Sequence, residues 1–242
     1  MTVQLQWRGE EPERVLVVTM DRPDRRNAVD LETLLQLQRA QQTATEGGAR
    51  VLVLTGAPPA FCAGADLNGV ESAKFLDELS ATLTGFTALP FVTLAAIDGP
   101  ALGAGAQLAS ACDLRVATAP SRIGIPAARL GLAVDAWTVR RLSDQVGPSI
   151  ARGMLLGAQT WNAEQLNESG FIHRIGDLKH ALHFAEELAA LAPLTIAAHK
   201  LMLEGAPVEQ AEAARRVVWT SADAAEGRAA FLAKRPAHFT GS

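Results

Sequence analysis

Cysteine is nearly absent. Cys62 and Cys112 are the only two in 242 residues, and neither belongs to a Cys-x-x-Cys pair or a Cys/His cluster. This excludes a disulfide framework and a zinc site of ordinary spacing, and leaves two reduced, buried thiols as the expectation. Long apolar runs are missing too. No window approaches the ~20 apolar residues that a membrane-spanning helix needs. The opening stretch MTVQLQWRGEEPERV carries charge too early for a signal or transit peptide, so a cytoplasmic protein is expected. Positive charge is not in surplus. A formal net charge of −4 argues against a general nucleic-acid partner, although a local basic site for a phosphate stays open. Tandem repeats, low-complexity linkers, metal-ligand clusters and a dinucleotide glycine motif in a strand–helix setting are all lacking, so neither a metal nor a redox cofactor is implied.

What is present suits one α/β domain with a large core: 48% of the residues are hydrophobic and 20% charged. Arg14–Met20, Arg50–Thr55 and Phe91–Ile97 are short apolar, β-branched runs that read as buried strands, with Leu114–Ala117 and Arg122–Ile125 as shorter ones. Between them, Asp30 is placed to cap a helix through Ala44 with Leu31, Leu34, Leu35 and Leu37 as its stripe, ended by Gly47 and Gly48. Further helices are expected over Glu71–Leu89, Gly103–Ala111, Trp137–Gln145 and Ile150–Leu156. Strands alternating with helices imply parallel βα units. From Ala181 onward the pattern is almost wholly helical. An α/β core over residues 1–190 and a helical part over residues 191–242 are expected.

Two loops are made almost entirely of small residues, Ala60–Leu67 (AFCAGADL) and the segment opening Ile97–Asp113 (IDGPALGAGAQLASACD). Read alone, each is a tight-packing turn. With the early turn Arg22–Val29 (RPDRRNAV) and the ending Phe231–Phe239 (FLAKRPAHF), they follow one another in the order of the crotonase (enoyl-CoA hydratase/isomerase) family, which this chain resembles over nearly its whole length. The resemblance implies a spiral of ββα turns with a helical trimerisation region, assembled as a trimer or a dimer of trimers. It implies an acyl-CoA or enoyl-CoA ligand, with coenzyme A as part of the substrate. Such a thioester builds negative charge on its carbonyl oxygen as it reacts. Two backbone N–H donors stabilise that charge, and losing one such donor costs about 2.7–4 kcal/mol. By resemblance these donors fall on Ala65 and Ala104. Arg25, Arg26 and Ala28 fall where the family meets the nucleotide and phosphates, and Ala63, Ala65, Asp66 and Leu67 line the adenine and pantetheine path. Phe231 and Lys234 fall where the chain reaches the coenzyme A of a neighbouring subunit. Arginine suits phosphate because its planar fork donates two hydrogen bonds; for each arginine taken singly, a solvated surface charge is the plainer alternative.

The chain departs from the family's hydratases where they carry two glutamates that handle the added water. The matching positions are Gln107 (in GAGAQLA) and Ala127 (in GIPAARLG). Glutamine can hold a water but cannot take its proton, and alanine can do neither. General acid–base groups are worth roughly 10²–10⁴-fold each, so weak or absent hydration is expected. One carboxylate offers a substitute: Asp135 in Gly131–Trp137 (GLAVDAW) lies where certain family isomerases, and an aryl-CoA dehalogenase group, place a working aspartate. None of the five histidines matches the dehalogenase's supporting one. Asp135 also reads as the N-cap of the following helix, or as an ion-pair partner of Arg140 or Arg141. Trp137 either shapes the acyl pocket or packs in the core. The pattern GLAVDAW…RRL with glutamine for glutamate is similar to a mycobacterial subgroup of hydratase paralogues. Four readings follow: an acyl-CoA binder with little or no hydratase activity, an isomerase shuttling a proton on Asp135, residual hydration using Gln107 and Asp135, or a scaffold without a coenzyme A ligand.

Overall fold

The computed structural model describes residues 2–12, 14–68 and 70–242. Its central strands are β2 (Val15–Met20), β3 (Val51–Gly56) and β4 (Val92–Ile97), the three apolar runs, and nearly all of their residues are buried. Continuous burial is what a parallel strand covered on both faces requires. β2 pairs with β3 and β3 with β4, both in parallel. β6 (Leu114–Ala117) and β9 (Arg174–Ile175) extend the sheet in parallel, and β1 (Val3–Arg8) closes the other edge antiparallel to β2.

Successive side chains along a strand point to opposite faces. Leu16, Val18, Leu52, Leu54, Ala95 and Ile97 therefore enter one core, packed by α1 (Leu31–Glu46), α2 (Ala73–Ala88) and α3 (Ala104–Ala111). Val15, Val17, Val51, Val53, Leu94 and Ala96 meet α7 (Leu178–Ala189) on the other face through Ala181, Ala185 and Leu188. Asp30 caps α1 as expected, its Oδ1 accepting from the Thr33 N–H at 2.8 Å. The buried stripe is Leu34, Leu37, Ala40 and Ala44, turned slightly from the expected one, which leaves Leu31 and Leu35 half-buried.

A second sheet contains β5 (Pro100–Leu102), β7 (Arg122–Gly124) and β8 (Thr160–Asn162), in that order. The chain gives a strand to the first sheet, then one to the second, then turns: β4 to β5 to α3, and β6 to β7 to the 3-10 turn Pro126–Leu130. This repeated step is the ββα spiral that the resemblance implies. β1, β5, β8, β9 and the short α6 (Ala163–Glu168) were not expected from the sequence. They are short, or polar on one side, and only pairing with a neighbour defines them. α4 (Ala136–Val146), α5 (Pro148–Leu155), α8 (Pro193–Leu203), α9 (Val208–Thr220) and α10 (Ala222–Ala233) complete the chain.

Candidate functional site

Segments far apart in sequence meet where the early turn, the first small-residue loop and the start of α3 converge. Arg22 is the hub of the turn. Its Nη2 lies 2.9 Å from an Asp30 oxygen and 3.2 Å from an Asp66 oxygen, and its Nη1 donates to the Ala28 carbonyl. Asn27 is buried in a left-handed conformation (φ 57°), which asparagine tolerates better than most residues. Its Oδ1 accepts from the Arg22 N–H, and its Nδ2 donates to the Ala57 and Ala60 carbonyls at 2.7 and 2.6 Å. The Ala63 N–H donates to the Arg26 carbonyl at 2.9 Å. The turn thus holds the loop by backbone and amide bonds. Neither Arg22 nor Asn27 was singled out from the sequence, although both lie in the RPDRRNAV segment that was.

The loop is fastened in turn to β5. The Cys62 N–H donates to the Pro100 carbonyl at 3.0 Å, and the Leu102 N–H to the Cys62 carbonyl at 2.9 Å. Gly103, at φ 53° and ψ −117°, turns the chain from β5 into α3 in a conformation open essentially to glycine. A Cβ on Gly103 would lie 3.7 Å from the Gly64 Cα, so the two loops touch backbone to backbone.

This arrangement leaves two amides unused. Val29 bonds on either side of Ala65, donating to the Gly64 carbonyl and accepting from the Asp66 N–H, so the N–H of Ala65 itself points away from Val29. Ala104 is the first residue of α3, and the first amides of a helix have no intrahelical acceptor. Among the described residues neither N–H has a protein acceptor. Two such donors on abutting loops, one at a helix N-terminus, can stabilise negative charge on an oxygen.

Gln107, Thr138 and Asp135 form a second constellation. Gln107 is buried, and its Nε2 donates to the Thr138 Oγ1 at 2.8 Å. The Thr138 hydroxyl donates to the Asp135 Oδ2 at 3.0 Å, and the Thr138 N–H to the Asp135 Oδ1 at 2.8 Å. Asp135 is therefore the N-cap of α4, at an exposed position, and it is joined to Gln107 through one hydroxyl. The alternative ion pair with Arg141 is not formed. Arg141 pairs with Glu204 at 2.9 Å and donates to the Ser110 carbonyl at 2.6 Å. Ala65, Ala127, Val134 and Trp137 are half-buried and pack on the same core, with the Arg141 guanidinium 5.4 Å from the Trp137 ring centre. Thr138, which links the two polar side chains, gave no signal in the sequence beyond its place three residues after an N-cap.

The other residues carried by the resemblance are placed less uniformly. Arg25 and Arg26 are exposed on the turn beside Ala63, and Leu67 is 58% exposed. Asp66 is drawn to Arg22, and its carboxyl lies below the usual range, chiefly through the Asn68 N–H and then through Arg22. Phe231 and Lys234 are exposed on and just after α10, away from the two loops in the element order and outside their hydrogen-bond network. Burial pushes the Cys62 and Cys112 thiols up to about 12, which leaves both as unreactive core groups. Among the described residues no group of three or more His, Cys, Asp or Glu is placed to hold a metal ion, and no single helix is long and apolar enough to cross a membrane.

Residues 10–242 match the model of the enoyl-CoA hydratase/isomerase family. The chain is 41% identical over 238 residues to a protein named probable enoyl-CoA hydratase echA6 from Mycobacterium tuberculosis (strain CDC 1551 / Oshkosh), covering 96% of this chain and 98% of that one. It is 35% identical over 251 residues to the enoyl-CoA isomerase/hydratase fer4 of Mycosarcoma maydis, covering 93% and 92%. Among solved structures, the enoyl-CoA hydratase EchA1 from Mycobacterium marinum superposes with a TM-score of 0.84 at 28% identity, over 100% of this chain and 99% of that one.

Proposed function

The chain belongs to the enoyl-CoA hydratase/isomerase family, and from that membership we propose that it binds an acyl-CoA thioester and hydrates 2-enoyl-CoA weakly or not at all. The observation that carries this reading is the pair of unused amides on Ala65 and Ala104; by the resemblance, Gln107 and Ala127 stand where the family's hydratases carry carboxylates. The thioester oxygen sits on the two N–H groups. The exposed Arg25 and Arg26, with the backbone of Ala28, meet the phosphates. Ala63, Asp66 and Leu67 border the path to the acyl site. Phe231 and Lys234 serve the coenzyme A of a neighbouring copy in a trimer or a dimer of trimers. No resident cofactor is needed, because the charge is handled by backbone dipoles. The working place is the cytoplasm.

A second reading is favoured by one contact, the Thr138 bridge from Asp135 to Gln107. It brings a carboxylate to the edge of the site, where it could move a proton between the carbons of a 3-enoyl thioester. Absorbance of the conjugated thioester separates the two. The binding reading expects no change with 2-enoyl- or 3-enoyl-CoA, while acyl-CoA raises the melting temperature; at about 100 times Kd the gain is roughly 2.7 kcal/mol. A rise of the signal from 3-enoyl-CoA that vanishes in Asp135→Asn would establish the isomerase. Rapid loss of the 2-enoyl signal would refute weak hydration.

The site itself is tested by Ala104→Pro. Proline is accepted at the first helical position, and it replaces the N–H with a ring methylene that points the same way. The variant should fold, by circular dichroism, and bind acyl-CoA at least about tenfold more weakly, because one hydrogen bond is lost and its place is blocked. Unchanged affinity would remove Ala104 from the site.

A further inference from the structure

We propose that Thr138 is a positioning residue whose hydroxyl fixes the Gln107 amide with its oxygen toward the ligand, so that the site prefers a 3-hydroxyacyl thioester to its saturated counterpart. The proposal rests on the acyl-thioester reading above and adds to it the kind of acyl group.

A carboxylate only accepts, so the single proton of the Thr138 hydroxyl goes to the Asp135 Oδ2, 3.0 Å away. The Thr138 oxygen must then receive a donor from its other neighbour. The only donor on the Gln107 side chain is its NH₂ group, which lies 2.8 Å away. The orientation of the amide is thus set by Asp135 through Thr138, and Nε2 is the end that is spent. The remaining end, Oε1, accepts from no described residue and is not among the sealed, unpaired polar atoms, although Gln107 as a whole is only 4% exposed. It is an acceptor without a protein donor that is not fully sealed from its surroundings.

Helix geometry places that acceptor. Gln107 follows Ala104 by three positions in α3, so the two share a face, with their Cβ atoms roughly 5–6 Å apart. A thioester oxygen held on the Ala104 N–H puts the acyl carbons next to the Gln107 side chain. Saturated chains would lay methylenes against Oε1 and leave it without a donor. A hydroxyl on the third carbon can donate to it. Elimination would need an acid to protonate the leaving hydroxyl and a base to take the proton beside the thioester carbonyl; a neutral amide is neither, so Gln107 holds the hydroxyl by the hydrogen bond alone. One neutral hydrogen bond, against an acceptor left dry, is worth about tenfold in Kd.

The test compares the dissociation constants of butyryl-CoA and each enantiomer of 3-hydroxybutyryl-CoA by titration calorimetry, so that coenzyme A contributes equally to both sides of the ratio. Wild type should favour one hydroxy enantiomer about tenfold. Thr138→Ser, which keeps the hydroxyl, should keep the ratio. Thr138→Val keeps the shape and the backbone N–H that Asp135 caps, and should bring the ratio to within about twofold. A purely structural role would weaken both ligands together and leave the ratio alone. Should the valine variant fail to fold, Gln107→Leu removes the acceptor directly and should abolish the preference. Equal binding in wild type, or a preference that survives Thr138→Val or Gln107→Leu, overturns this proposal and leaves the acyl-thioester reading standing. Binding of neither thioester overturns both.

Discussion

Gly105 shows how little room a single residue can have here. It lies in α3 against the first loop, and a Cβ added to it would fall 2.2 Å from the Cys62 carbonyl oxygen and 2.9 Å from the Cys62 Cβ. The Cys62 carbonyl is already committed to the Leu102 N–H, so the loop cannot yield without breaking its tie to β5. Gly105→Ala should therefore separate the two amides and abolish acyl-CoA binding. It should also cost about 1–3 kcal/mol in a urea titration, the usual penalty of overpacking. Gly227, inside α10, is the control. Its added Cβ would meet only the Phe239 ring at 3.5 Å, an ordinary contact. There alanine should gain about 0.5–1 kcal/mol through helix propensity and leave binding unchanged. If the two substitutions behave alike, backbone contact between the loops is not what assembles the site.

Among the elements, α4 and α8 do work that their sequences conceal. α4 carries a polar seam against α3: Thr138 meets Gln107, and Arg141 and Gln145 both donate to the Ser110 carbonyl. The Arg141–Glu204 pair continues the seam to the end of α8. Deeper in α8, Lys200 is buried, with its Nζ 2.7 Å from the Asp113 Oδ2 and donating to the Phe86 and Phe91 carbonyls at 3.0 and 3.1 Å. Asp113 in turn accepts from the Thr93 N–H and hydroxyl. One amine thus bolts α8 to the end of α2 and to β4. Breaking a buried ion pair by removing one partner costs about 3–5 kcal/mol, because the other charge stays behind. Lys200→Met should lower the urea midpoint accordingly, and proteolysis should cut first near α8. A loss below about 1 kcal/mol would mean that α8 is held by its apolar contacts alone. Periodicity placed α4 to within a residue at each end, since apolar spacing is local, but α8 was expected only as part of a helical stretch from Ala181 onward. It did not reveal the bolt, because a lysine in an amphipathic pattern reads as a surface charge until its acceptors, from 87 to 114 positions away, are known.

At the scale of the whole molecule, the buried strands were legible because β2, β3 and β4 announce themselves by composition, whereas the second sheet was legible only at β7, expected as Arg122–Ile125; β5 and β8 are three residues each and exist only through pairing. The candidate site divides in the same way. AFCAGADL and GAGAQLA marked both loops, but the Arg22–Asp66 pair, the Asn27 amide and the Thr138 bridge join residues 33 to 44 positions apart, or a helix cap to another helix, and are properties of the fold. The ending, likewise, is helical as expected, yet its apolar residues do not find cover within the chain. Val217, Trp219, Phe231 and Leu232 are 55–82% exposed, and Val217 also lines an apolar groove of about 460 Å³ with Leu89, Leu194 and Leu201, between α2, α8 and α9. Burying one large apolar side chain gains roughly 1.5–3 kcal/mol, so leaving several in water is costly unless copies of the chain cover one another. The proposed trimer or hexamer would do this and would bring Phe231 and Lys234 to a neighbour's ligand. Sedimentation should therefore show no stable monomer at micromolar concentration, and Phe231→Asp with Leu232→Asp should yield one. If that monomer binds acyl-CoA as tightly as the assembly, the site is complete within one chain and the C-terminal residues serve cohesion alone; if affinity falls together with assembly, the neighbouring copy is part of the site.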